Sequence, residues 1–175
     1  MIVAGVSGSG KTTVGALLAG RLGWPFADAD DFHPAANVAK MRAGIPLTDA
    51  DRWPWLRAIA TWMDERIVRG EDAVVTCSAL KRSYRDLLLT GRPAARMVFL
   101  APDREVLARR LAARHGHFFP EQLLSTQLDA LEPPGPEGPD QRVLTVVPAD
   151  DPAATVARII ALVWPGKGGD HEAET

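Results

Sequence analysis

The chain has 175 residues, 46% hydrophobic and 24% charged, with a formal net charge of −2. That size and balance point to one soluble globular domain with a sizeable core, and the near-neutral charge leaves no footprint for nucleic acid or an anionic membrane. A single cysteine, Cys77, excludes an intramolecular disulfide and suits a reducing cytoplasm, and no apolar run approaches the roughly 20 residues of a membrane span.

The first element is a short apolar run, Met1–Ala4, read as a buried strand. Next comes Gly5-Val6-Ser7-Gly8-Ser9-Gly10-Lys11-Thr12, which fits G-x-x-x-x-G-K-[ST] at every specified position, and then a helical stretch, Lys11–Leu22. In that context the glycines let backbone N–H groups turn inward around phosphate oxygens, and the helix N-terminus adds positive potential. Gly5, Ser7, Gly8, Ser9, Gly10, Lys11, Thr12 and Thr13 are therefore expected to bind ATP, with Lys11 on the β- and γ-phosphates and the Thr12 hydroxyl on Mg²⁺. A cleaved leader is not expected, because the loop begins at residue five.

Pro25–Ala27 reads as a second strand running into Asp28-Ala29-Asp30. Ligands of open α/β sheets sit at the carboxyl ends of the strands, and period-two alternation would point Asp28 and Asp30 to one side. One carboxylate could hold a Mg²⁺-bound water while the other accepts a proton from an attacking hydroxyl; equally, both could be turn-capping aspartates. Asp31-Phe32-His33-Pro34, Asn37, Lys40 and Met41 follow, then a helix over Asp51–Arg69 that opens with Asp51-Arg52-Trp53-Pro54-Trp55-Leu56. This cluster could line a pocket for an anionic small molecule, or form a solvated hairpin with its tryptophans in the core.

Ala73–Cys77 is a third strand whose end carries Ser78, Lys81, Arg82, Tyr84 and Arg85, before a helix over Arg82–Leu89. Strands at Met97–Ala101 and Val143–Val147 and helices at Arg104–Arg114, Pro120–Leu131 and Pro152–Val163 complete the alternation. Continuous apolar strands between helices imply right-handed crossovers and an open parallel sheet covered on both faces. Glu132–Gln141, with four prolines and two glycines, reads as a loop, and the tail 166–175 as disordered. Arg110 and Arg114 share a helix face and could stabilise a phosphoryl group in flight. His117 has no companion ligand at zinc spacing, so a metal role for it is rejected.

Asn37 is the only asparagine, so the guanine-reading Asn-Lys-x-Asp motif is missing, and no apolar strand ends in the Asp-Glu pair of mechanical ATPases. A small ATP-dependent kinase leads. A kinase for shikimate or a nucleoside monophosphate and a non-catalytic ATP switch remain alternatives.

Gly5–Thr12, Asp28–Pro34 with Asn37 and Lys40-Met41, Gly44–Leu47, Asp51-Arg52 with Pro54–Leu56, Cys77–Lys81 with Tyr84–Asp86, Gly116–Phe119 and Leu131–Pro133 together resemble the gluconokinase family. That family lies in the shikimate-kinase and adenylate-kinase branch of phosphate-loop kinases. The resemblance implies a P-loop NTPase three-layer α/β/α fold with a five-stranded parallel sheet. It implies one kinase domain over 1–165, with a substrate-binding insert over 31–70 and a lid over 115–135. The implied reaction moves the ATP γ-phosphate to the C6 hydroxyl of D-gluconate, with Asp30 as base, Lys11 and Arg114 as further catalytic groups and Asp28 beside Mg²⁺. Arg52, Lys81, Tyr84 and Arg85 would face the sugar acid with His33 and Lys40 nearby, and Arg110 would stack on adenine. A homodimer is compatible with the resemblance. Two features depart from the pattern: nothing precedes the first strand, and Asp31 stands where an apolar residue is expected. The second crowds three carboxyl groups, so like-charge repulsion should raise at least one pKa.

Overall fold

The computed structural model describes residues 1–112 and 121–165. β1 (Ile2–Ala4) runs through the phosphate loop into α1 (Lys11–Leu22), then β2 (Phe26–Ala27), a 3-10 turn (Ala29–Phe32), α2 (Ala35–Arg42) and α3 (Asp49–Val68). The chain continues through β3 (Val74–Cys77), α4 (Arg82–Leu89), β4 (Met97–Leu100) and α5 (Arg104–Ala112). After α6 (Glu121–Asp129) come a second 3-10 turn (Gly138–Arg142), β5 (Val143–Val146) and α7 (Pro152–Val163). The five strands form one all-parallel sheet in the order β2-β3-β1-β4-β5.

Period-two alternation along the central strands divides the core between the two faces. Ile2, Ala4, Val75, Cys77, Met97 and Phe99 pack against Leu56, Ile59 and Met63 of α3 and Leu88 of α4. Val3, Val74, Val98 and Leu100 face the other way, against Val14 and Leu18 of α1 and Val156 and Ile159 of α7. Both faces are dry, which is why these strands read as unbroken apolar runs rather than as alternating ones. Gly15 lets α1 lie close to the sheet: a Cβ there would stand 3.0 Å from Phe26 and from Thr76. The strand order reverses at β1, between β3 and β4, and the phosphate loop leaves β1 at that switch point.

Three elements differ from the sequence expectation. β2 has two residues and is half-exposed rather than a buried strand, because it is an edge strand paired only with β3 and the chain turns into a 3-10 turn straight after it. α3 starts at Asp49, two residues earlier than expected, under a capping box. There the Asp51 N–H donates to Thr48 Oγ1 at 3.3 Å and the Thr48 N–H donates to Asp51 Oδ2 at 2.9 Å. The segment expected as loop through Gln141 closes in a 3-10 turn, and that turn delivers Asp140 to the interior.

Asp140 meets Arg85. The guanidinium donates from Nε to Asp140 Oδ1 at 2.7 Å and from Nη2 to Oδ2 at 2.9 Å, a bidentate pair with both side chains buried. Nη1 donates to the carbonyls of Leu80 (3.2 Å) and Glu132 (2.9 Å). The guanidinium beside it holds the Asp140 carboxyl below the ordinary carboxylate range. Arg85 was expected to face a sugar acid; the structure corrects this, since the side chain is sealed in the core and all three nitrogens are engaged inside the protein.

Removing one partner of such a pair leaves a buried charge without compensation. Asp140→Ala is expected to lower stability by about 3–5 kcal/mol in urea unfolding, and a loss below about 1 kcal/mol would show the pair to be dispensable.

Candidate active site

The phosphate loop is held open by backbone conformations that only glycine adopts cheaply. Gly5 has φ +140°, where a Cβ would lie 2.6 Å from the Leu100 carbonyl oxygen, and Gly10, at the N-cap of α1, has φ +96°. Lys11 Nζ donates to the Val6 carbonyl at 2.9 Å, so the ammonium lies over the loop. Thr12 Oγ1 donates to Asp28 Oδ2 at 2.8 Å. A hydroxyl and a carboxylate beside a phosphate loop are hard oxygen donors of the kind Mg²⁺ takes, with its remaining positions left for water and phosphate. The residues present fit that ion.

Asp28 and Asp30 are brought together by a turn, not by strand alternation. Asp28 caps the 3-10 turn, its Oδ1 accepting the Asp30 N–H at 3.0 Å. The turn itself is pinned from two sides: the Ala29 N–H donates to Thr76 Oγ1 at 3.1 Å, and Trp55 Nε1 donates to the Ala29 carbonyl at 2.6 Å. The turn-capping reading holds for Asp28, which also accepts a hydrogen bond from Thr12. The Asp30 carboxyl pKa is raised, first by loss of hydration, then by Asp28 and Asp31, with Lys11 opposing. Like-charge crowding contributes as expected, but desolvation is the larger cause.

His33 stacks on Trp55, ring centroids 4.4 Å apart and planes 9° from parallel, with Asn37 Nδ2 3.4 Å from its Nδ1. Burial, with the Arg52 charge in support, pushes its pKa down to about 4, so the ring is neutral at physiological pH. Of the expected substrate-facing cations, Lys40 is paired with Asp51 at 2.7 Å and Lys81 with Asp49 at 2.7 Å. Tyr84 is buried, and its hydroxyl donates to Asp49 Oδ1 at 2.6 Å. Arg52 Nε donates to the Leu47 carbonyl at 3.3 Å, and no other hydrogen bond from its guanidinium is found among the described residues. Its charge acts on His33, Asp49, Cys77 and Tyr84, on α3 and around the β3–α4 loop. Burial pushes the Cys77 thiol up to about 12, so it is a packing residue. Arg114 and the side chain of Arg110 lie outside the described residues.

A family profile described as an AAA domain matches residues 1–134. A gluconokinase of Gluconobacter oxydans (strain 621H) is 51% identical over 143 residues, which cover 82% of this chain and 80% of the relative. The chain belongs to the gluconokinase family. A solved gluconokinase of Sinorhizobium meliloti 1021 matches with a TM-score of 0.76 at 45% identity, covering 95% of each chain. A shikimate kinase of Bacteroides thetaiotaomicron, at 21% identity and a TM-score of 0.63 over 93% of this chain and 96% of its own, shares the P-loop kinase fold. Like those relatives, this gluconokinase-family chain is an ATP-dependent small-molecule kinase, and no helix among its described residues is long and apolar enough to cross a membrane.

Sequence reasoning missed three groups at this site. Asp49, the carboxylate that gathers Lys81 and Tyr84, lies before the helix start that the sequence suggested and was not singled out. Its pKa is lowered by hydrogen bonds from those two side chains, so it is ionised. Gln127 of α6 reaches the phosphate loop, where the Ser7 N–H donates to its Oε1 at 2.8 Å. Pro148, Ala149 and Asp150 after β5 close a cleft of about 240 Å³ against Gly8, Gly10 and Thr13. Only a charge pattern could have flagged Asp49; the other two depend on distant elements meeting.

The low His33 pKa has a measurable consequence. The imidazole proton shifts are expected to stay flat from pH 8 to near 5 and to move only around pH 4, and a midpoint near 6.5 would show that the stack on Trp55 does not bury the ring. The unfolded chain takes up a proton at its ordinary pKa, so this group withdraws stability as pH falls from about 6.5 towards 4.

Proposed function

We propose that this chain transfers the γ-phosphate of ATP to the C6 hydroxyl of D-gluconate, giving 6-phosphogluconate and ADP. The observation that carries the reading is Asp30: a carboxyl of raised pKa that feels the Lys11 charge, on a pinned turn whose capping residue Asp28 bonds Thr12 of the phosphate loop. The named activity of the relatives supplies the acceptor.

Phosphoryl transfer asks the protein for alignment and charge neutralisation rather than for covalent chemistry. Asp30 orients the hydroxyl and takes its proton; the raised pKa brings it closer to the proton's donor and improves it as a base. Lys11 and the loop amides hold the phosphates. Thr12, with Asp28 behind it, would hold Mg²⁺, which would supply positive charge to the phosphates. For the gluconate carboxylate, Arg52 is the principal anchor. Lys40, Lys81 and Arg85 already have carboxylate partners, whereas the outer nitrogens of Arg52 are left for a planar, bidentate contact. Arg114 is assigned to the phosphates and Arg110 to adenine by family resemblance. The reaction is placed in the cytoplasm, where ATP is available.

Three results test this. ADP release with Mg²⁺-ATP should be stimulated strongly by gluconate and not by shikimate or AMP; stimulation by another acceptor alone would keep the kinase and overturn the substrate. Asp30→Asn should lower kcat by at least about a hundredfold, in the range of general-base losses, while nucleotide affinity stays within about twofold. Because the working form of Asp30 is the carboxylate and its pKa is raised, activity is lost as pH falls through a value above the ordinary 3.8. An acid limb at or below 3.8 would remove Asp30 from the base role.

A further inference from the structure

Gln127 is seated by contacts that fix where its side chain lies. The next residue, Leu128, packs with Leu131 against a small cluster of Val6, Leu80 and Leu107, so the end of α6 rests on the phosphate loop itself. Beyond the helix the Glu132 N–H donates to the Leu80 carbonyl at 3.0 Å, and the Arg82 N–H donates to Glu132 Oε2 at 2.7 Å. The Glu132 carbonyl also accepts from Arg85. This end of α6 is therefore anchored to the β3–α4 loop while its last full turn touches the nucleotide loop.

The Ser7 N–H can only donate, so the atom facing it at 2.8 Å is Oε1 of Gln127, and the orientation of the amide is decided. Its nitrogen is then about 2.3 Å from that oxygen, which places two N–H donors within about 5 Å of the loop's Ser7 nitrogen. No hydrogen bond to Nε2 is found among the described residues. Ser7 lies between the Val6 carbonyl that receives Lys11 and the glycine turn at Gly8. Lys11 is the group that reaches the terminal phosphate in this motif.

We propose that Gln127 is a γ-phosphate ligand: Oε1 is fixed on the Ser7 amide, and Nε2 donates to an oxygen of the transferring phosphoryl group. The proposal rests on the ATP-dependent kinase reading but not on the identity of the acceptor. A side-chain donor that reaches only the terminal phosphate distinguishes ATP from ADP, and it ties the helix anchored beside Lys81 to the phosphate being moved.

Gln127→Glu keeps an acceptor for the Ser7 N–H but replaces the donor with a negative charge, and Gln127→Ala removes both. The dissociation constants of ADP and of the β,γ-imido analogue of ATP would be measured with Mg²⁺, alongside kcat and the melting temperature of each variant. In both variants the imido analogue is expected to weaken by roughly tenfold or more and ADP by less than about twofold, the former being the loss typical of one hydrogen bond to a charged group. kcat/KM for ATP should fall by at least the same factor. Equal weakening of the two nucleotides would reduce Gln127 to a tether of the loop, and unchanged or tighter binding of the imido analogue would make it a plug of the empty site; either overturns the proposal. If gluconate fails to stimulate wild-type turnover, the acceptor assignment falls, while the difference between the two nucleotides still decides Gln127.

Discussion

The Arg85 guanidinium holds together parts of the chain that have little else in common. It spans the Asp140 carboxylate of the turn before β5, the Leu80 carbonyl after β3, and the Glu132 carbonyl beyond α6. A planar group with five donors in a fixed fork can bind a carboxylate bidentately and two carbonyls besides, four bonds where an ammonium has three donors. The acceptors it engages are groups that irregular backbone would otherwise bury unpaired, at a cost of about 1–3 kcal/mol each. One ion pair therefore lets a proline-rich loop pack against the core and gives α6 a fixed end from which to approach the phosphate loop.

The same logic of prior neutralisation governs the wall formed by α3 and the β3–α4 loop. Lys81 and Tyr84 are held by Asp49, and Lys40 by Asp51. Pairing of this kind keeps long cationic side chains in one place without an anionic ligand, so little ordering remains to be done when one binds. Arg52 stands apart from it, tethered among the described residues by its Nε alone, and it lowers the His33 pKa and stabilises ionised Asp49 through space. The neutral His33 ring on Trp55 supplies a flat, uncharged surface next to that guanidinium.

Much of this was legible in the sequence, because it depends on local rules. The phosphate loop announces itself through glycines at required positions and a lysine at fixed spacing, and unbroken apolar runs of three to five residues mark strands covered on both faces. Asp28 and Asp30 were legible as a pair, but their geometry was not. The chain leaves β2 after Ala27, and what aims Asp30 is a turn pinned by Thr76 and Trp55, 47 and 26 residues away from Ala29.

Arg85 shows where local reading stops. Beside Lys81 and Tyr84 at the end of a strand it looks like one more cation for an anionic ligand, and nothing in the neighbouring residues tells it apart. Its role is set by Asp140, 55 residues on, which enters the core only because a 3-10 turn forms where the prolines suggested irregular chain. By itself the sequence determined the nucleotide loop and the alternation of strands and helices, since each follows from backbone freedom and hydrophobic period over a few neighbours. Only the tertiary structure decided which cations are already neutralised, which carboxyl loses its water and which side chain of α6 meets Ser7, because burial and charge pairing are properties of segments that meet after the chain has closed on itself.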